Sequence, residues 1–175
     1  MPARAALFRR RRAGFFAWRV GRRHAVITGD CAMWDTLVLW VHPAMQSLAV
    51  LIGLLAMWQG WKRIEMLRGR KVIFPWRTHV RLGTVGLLLW TAGAFGFYVT
   101  HSLFGATHIT GIHATLAWPI IVLSILGLIT GGIMNKYKKK RFWLPLIHGV
   151  GNTILMILVL YECWTGIDLY DAFMA

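Results

Sequence analysis

A histidine inside a run of apolar residues long enough to cross a bilayer is the feature that most constrains this chain, and it occurs four times. An imidazole at that depth is costly unless something binds it. The four are His42, His79, His113 and His148, separated by 37, 34 and 35 residues (42 to 79, 79 to 113, 113 to 148), the length of a membrane helix plus a loop. The clearest instance is His108-Ile-Thr-Gly-Ile-His113-Ala-Thr-Leu-Ala-Trp118, which opens an apolar stretch reaching Met134. It sets His113 about one and a half turns inside that stretch.

The apolar runs predict spans at about 33–60, 76–103, 108–134 and 142–164. With 57% hydrophobic residues and a mean hydropathy of +0.56, the 175-residue chain is too apolar for a water-soluble domain. The expected fold class is therefore an all-α membrane protein: a four-helix transmembrane bundle with a basic N-terminal extension. Residues 1–32 form the extension, 33–166 the bundle and 167–175 a short tail. Pro43 follows His42 and should bend the first helix there. Gly83, Gly86, Gly93 and Gly96 mark a stripe of close approach on the second.

The net charge of +14 comes from 20 Lys and Arg against 6 Asp and Glu. In a membrane chain that excess speaks first of topology and anionic lipid, and no nucleic-acid module is recognisable. Eight arginines lie in the extension, which is read as a retained basic tail on lipid headgroups or on a partner subunit. The other twelve basic residues fall at 61–81 and 135–141. The face holding the N-terminus is called side A and the opposite face side B. The positive-inside rule then makes the loops 61–78 and 135–141, on side B, cytoplasmic in a multi-pass membrane protein. Cys31 and Cys163 form no CxxC or CxxCH; both belong near side A, either as a disulfide or as two free thiols.

Successive spans alternate in direction. His42 and His113, near the starts of spans one and three, share side A; His79 and His148, near the starts of spans two and four, share side B. Two histidines at one depth, on adjacent or diagonal helices, can clamp a porphyrin from both faces. The expectation is two non-covalent haem b groups, one in each half of the bilayer. Zinc or copper would want ligands clustered from a few positions, and these four are divided between two faces. His101 and His108 should lie at side A, as interfacial histidines or as an electron entry or exit site. Arg77 and Arg81 flank His79 and either pair haem propionates, hold an anionic donor, or simply mark the membrane boundary.

These residues resemble the cytochrome b561 family of dihaem transmembrane cytochromes. The likeness covers about residues 36–166: His42-Pro43-x-Met45, His79 between basic residues, His108-x4-His113, and His148-Gly149. It implies ligand pairs His42/His113 and His79/His148, a donor site near the basic residues by His79, and an acceptor site near His108. Family members usually have two further helices, which makes this chain similar to a reduced four-helix bacterial form. The expected function is a dihaem b-type cytochrome carrying electrons across the bilayer. Its donor is a quinol, an ascorbate-like reductant or a redox protein, and it works alone or within a larger membrane complex. The alternatives are a non-catalytic anchor subunit with structural haem and a histidine-lined metal or small-solute transporter.

Overall fold

The structure, a computed structural model, describes the backbone of residues 29–96, 98 and 111–174 and the side chains of 40–96, 98 and 111–168. The extension to residue 28, His101, His108 and the side chain of Cys31 lie outside the described residues. So do the expectations placed on them, the disulfide included.

Among the described residues the chain is all helical. The helices are α1 (Gly29–Leu67), α2 (Trp76–Ala92), α3 (Gly111–Lys136) and α4 (Trp143–Met174). Three stretches are long and apolar enough to cross a membrane: Trp40–Leu67, Gly111–Lys136 and Trp143–Asp168. The fourth helix, α2, has 17 residues and is less apolar, with Arg77, Thr78, His79 and Arg81 in its first turns. Its end at Gly93 keeps right-handed helical angles (φ −54°), and helical backbone resumes at Phe95 and Gly96.

Two boundaries differ from the hydropathy reading. Helix α1 continues beyond Gly60 through Trp-Lys-Arg-Ile-Glu-Met-Leu, so much of the first basic loop is helix. These are mostly good helix formers, and no glycine or proline interrupts them. The stop is a Schellman cap. Gly69 adopts φ 81°, its N–H donates to the Met66 carbonyl, and the Arg70 N–H donates to the Glu65 carbonyl. A 2.8 Å ion pair from Arg70 to Glu65 closes the same turn. Likewise α4 runs on to Met174, into what hydropathy assigns to the tail.

Each helix packs against two others, α1 with α2, α2 with α3, α3 with α4 and α4 with α1. The four therefore form a ring in which α1 faces α3 and α2 faces α4 across the middle. The buried residues are few and central: Ala49, Leu87, Trp90, Ile120, Leu155, Met156 and Val159 form one cluster. Large apolar side chains such as Leu51, Trp118, Ile129 and Ile157 lie on the outside. An apolar exterior around a small core suits lipid contact. The hydroxyls of Thr91, Thr115, Thr130 and Thr153 bond carbonyls of their own helices, the usual way a polar side chain is satisfied in hydrocarbon.

The tightest point of the core is Gly53 of α1 against the Trp90 indole of α2. A Cβ at Gly53 would lie 2.7 Å from Trp90 Cζ2 and 3.0 Å from the Met156 methyl. Gly53→Val should therefore destabilise the detergent-solubilised protein by about 1–3 kcal/mol through overpacking, measured by thermal or denaturant unfolding. Gly83→Val, where a Cβ meets nothing within 4 Å, should leave stability nearly unchanged.

Candidate functional site

The structure brings His42 of α1 together with His113 of α3. It also brings His79 of α2 together with His148 of α4. The ring centres are 6.4 Å apart with planes at 80° in the first pair, and 6.3 Å apart at 77° in the second. Each pair spans a diagonal of the helix ring, and the central apolar cluster lies between the two levels.

Hydrogen bonding assigns the Nδ1 proton in two of the four rings. His79 Nδ1 lies 2.9 Å from the Ala56 carbonyl, which can only accept, so His79 carries its proton on Nδ1. His113 Nδ1 lies 3.0 Å from Thr165 Oγ1, whose hydroxyl already donates to the Glu162 carbonyl, so Thr165 accepts the imidazole proton. His148 Nδ1 lies 2.9 Å from Thr130 Oγ1, whose hydroxyl donates to the Leu126 carbonyl, and 3.3 Å from the Asn152 amide nitrogen, so an acceptor and a donor both face it. Asn152 stands beside His148 and donates to its backbone carbonyl at 2.7 Å. The Glu162 carboxylate adds a second acceptor 3.4 Å from His113 Nδ1. His42 Nδ1 is buried without a hydrogen-bond partner among the described residues.

A proton on Nδ1 leaves the lone pair on Nε2. Among the described residues no ring is hydrogen-bonded at Nε2. That is the state of a metal-ligating histidine, whose other nitrogen is held by a carbonyl, hydroxyl or carboxylate.

Each ring also rests on a glycine of the neighbouring helix. An added Cβ would stand 2.7 Å from His42 Nδ1 at Gly96, 3.3 Å from His79 Cε1 at Gly60, and 3.2 Å from His113 Cε1 at Gly166. At Gly131 it would stand 3.2 Å from His148 Cε1. The side A level thus holds His42 and His113 on one diagonal, with Gly96 and Gly166 on the other two helices. The side B level holds His79 and His148, with Gly60 and Gly131 on the other two. A groove between α3 and α4, lined by Gly127, Thr130, Ile147, His148, Gly151 and Asn152, opens beside the side B pair.

These glycines and threonines carry a signal that the histidine spacing alone does not. Histidine and glycine are 18 residues apart in three helices (42 to 60, 113 to 131, 148 to 166) and 17 in α2 (79 to 96). Eighteen residues are about five turns, so both lie on one helix face at opposite ends. In the second hairpin the pattern is sharper: His-x16-Thr-Gly occurs at His113…Thr130-Gly131 and again at His148…Thr165-Gly166. The Thr-Gly of each helix serves the histidine of the other.

Arg77 and Arg81 are exposed, and Arg77 stacks on Trp76 with its Cζ 5.7 Å from the ring centre. Both stand two residues from His79, a spacing that puts them on the other side of α2. The basic residue beside the side B pair is instead Arg63 of α1, whose Cζ lies 5.7 Å from the Phe74 ring centre; Phe74 in turn lies 5.5 Å from His79. Trp58, Trp61, Trp76, Trp143 and Trp164 are exposed near the ends of the apolar spans expected from hydropathy, as interfacial anchors are. Among the described residues, no three His, Cys, Asp or Glu side chains gather as a metal cluster.

Comparison with protein-family models, with curated proteins and with solved structures finds no match to this chain.

The accepting hydroxyl makes Thr130 testable apart from any ligand. Thr130→Val should remove the 2.9 Å hydrogen bond to His148 Nδ1 and lower stability by about 1–3 kcal/mol, read by thermal unfolding in detergent. Thr153→Val, at an exposed hydroxyl bonded only within its own helix, should fall within about 0.5 kcal/mol of the native protein.

Proposed function

We propose that this chain is a membrane electron carrier that holds two b-type haems, one between His42 and His113 and one between His79 and His148. The observation that carries the reading is the pair of matched levels, each with two imidazoles on one diagonal and two glycines on the other. A metal–imidazole bond is about 2 Å and an imidazole nitrogen lies about 1 Å from its ring centre, so one ion held by two Nε2 atoms sets ring centres about 6 Å apart. The observed 6.3 and 6.4 Å fit that spacing. The two imidazoles of each level would be enough protein ligands to hold a haem, whereas a structural zinc wants four.

A haem bound at such a level supplies a one-electron couple. The chain's own residues orient and tune it. The Ala56 carbonyl, Thr165 and Thr130 hold the rings of His79, His113 and His148 at Nδ1, which leaves Nε2 for a ligand, and the glycines let the rings lie close to the neighbouring helices. The apolar cluster around Trp90 and Leu155 excludes water between the levels. With about 27 Å of helix rise between a histidine and its glycine, the two levels sit toward opposite faces of a bilayer whose hydrocarbon is about 30 Å thick.

In this reading the protein is a multi-pass protein of a bacterial inner membrane, with α2 completing the four spans and side B facing the cytoplasm. Electrons pass between a quinol or redox-protein donor and an acceptor on the other side. The resemblance to the cytochrome b561 family, carried by the histidine order, agrees with it.

Purified protein should yield two haem b per chain by pyridine haemochrome, extractable by acid acetone; one or none ends the dihaem reading. His113→Ala should remove the side A haem and spare most of the other, and His148→Ala should do the reverse, read by reduced-minus-oxidised spectra with a redox titration. Gly131→Leu, which drives a side chain into the His148 ring, should imitate His148→Ala.

Topology has its own test. A reporter active only in the cytoplasm should work when inserted at 135–141 and fail at the C-terminus. The opposite result would show that the arginines of the extension, and not the side B loops, set orientation.

A further inference from the structure

Twelve Lys and Arg crowd the side B end of the bundle, and six of them pair with or stack on a neighbour at the bundle's surface. Arg70 pairs with Glu65 at 2.8 Å. Lys62 lies over Trp58, Arg68 over Trp61, and Lys136 over Tyr137. Arg77 and Lys138 lie over Trp76, joining the two basic segments. Arg63 differs in where it points. It stands three residues beyond Gly60, on the face of α1 that meets the His79 ring, and about 4.5 Å further toward side B. Its guanidinium lies against Phe74, which lies against His79. The loop fixes Phe74 by a 2.9 Å bond from the Trp76 N–H to the Phe74 carbonyl, and Pro75 caps α2. No carboxylate among the described residues pairs with Arg63. A guanidinium is always charged, and its planar fork matches a carboxylate with two parallel hydrogen bonds.

We infer that Arg63 is the anion-binding residue of the side B site, holding a carboxylate at the outer edge of the space between His79 and His148. The inference rests on the two-haem reading, in which that carboxylate is a propionate of the side B haem. A positive charge there stabilises the reduced form, which carries one more electron, so Arg63 raises the reduction potential of that centre alone. It acts as a positioning residue, through the bound group and not on an electron donor.

The test is a two-step redox titration of purified holoprotein, with haem content measured first. If the native protein carries no haem, the two-haem reading fails and takes this inference with it. With two haems bound, Arg63→Gln should weaken reduction of one centre by roughly tenfold, about 60 mV for a one-electron couple. That centre should be the one lost in His148→Ala. Arg63→Lys, which keeps the charge without the fork, should fall between Arg63→Gln and native. Arg68→Gln, a neighbouring charge stacked on Trp61, should leave both midpoints in place.

Titrating with and without added citrate separates the sources of the carboxylate. A shift independent of citrate assigns it to the bound haem. A shift that appears only with citrate assigns Arg63 to a carboxylate from solution, and overturns the propionate assignment. If Arg63→Gln loses the side B haem while Arg63→Lys keeps it, the inference stands on binding. Midpoints equal to native in both variants, or an equal shift in Arg68→Gln, overturn it.

Discussion

A neutral imidazole among apolar helices has two nitrogens to satisfy, one a donor and one an acceptor, and hydrocarbon offers neither a partner. That requirement organises the bundle. Thr130 and Thr165 sit where a hydroxyl can give its proton to its own helix and turn its oxygen to a histidine on the neighbouring one. A threonine so committed can only accept, so the His113 imidazole donates from Nδ1. The Nε2 lone pair is left over, and a second histidine stands across the ring, its ring centre 6.3 to 6.4 Å away.

Close approach follows from the same need. A ring held by a hydroxyl or carbonyl on an adjacent helix must lie almost against that helix's backbone, and only glycine leaves room. Gly131 follows Thr130 and Gly166 follows Thr165, so acceptor and clearance are adjacent in the chain. In the first hairpin the acceptor is the Ala56 carbonyl, one turn before Gly60. The two hairpins thus solve one problem with different chemistry. The second uses side-chain hydroxyls, while the first uses backbone and leaves His42 Nδ1 without a partner among the described residues.

The two levels differ in their electrostatic surroundings. Side B carries Arg63 stacked through Phe74 toward His79, within a field of lysines and arginines. At side A the acidic side chain beside the pair is Glu162, 3.4 Å from His113 Nδ1. If each level holds a haem, as we propose, a cation near one centre and an acidic group on a ligand of the other would bias their potentials in opposite directions, since a more electron-rich ligand favours the oxidised metal.

Sequence alone determines that the chain is helical and that three stretches are fit for a bilayer, because length and apolarity are local properties. It also places His42 with His113 and His79 with His148, because alternating helix direction puts every second histidine at the same end. Helix ends were less legible: α1 outruns its apolar stretch because Lys, Arg and Glu are good helix formers, and hydropathy reports lipid solubility and not helix length. Which helices are neighbours and which are diagonal, and which histidine nitrogen bears the proton, only the tertiary structure decides. The same holds for Arg63, and not Arg77 or Arg81, standing beside the side B pair. Each depends on how helices rotate and pack against one another, and a run of residues carries its spacing along one helix but not the azimuth of the next.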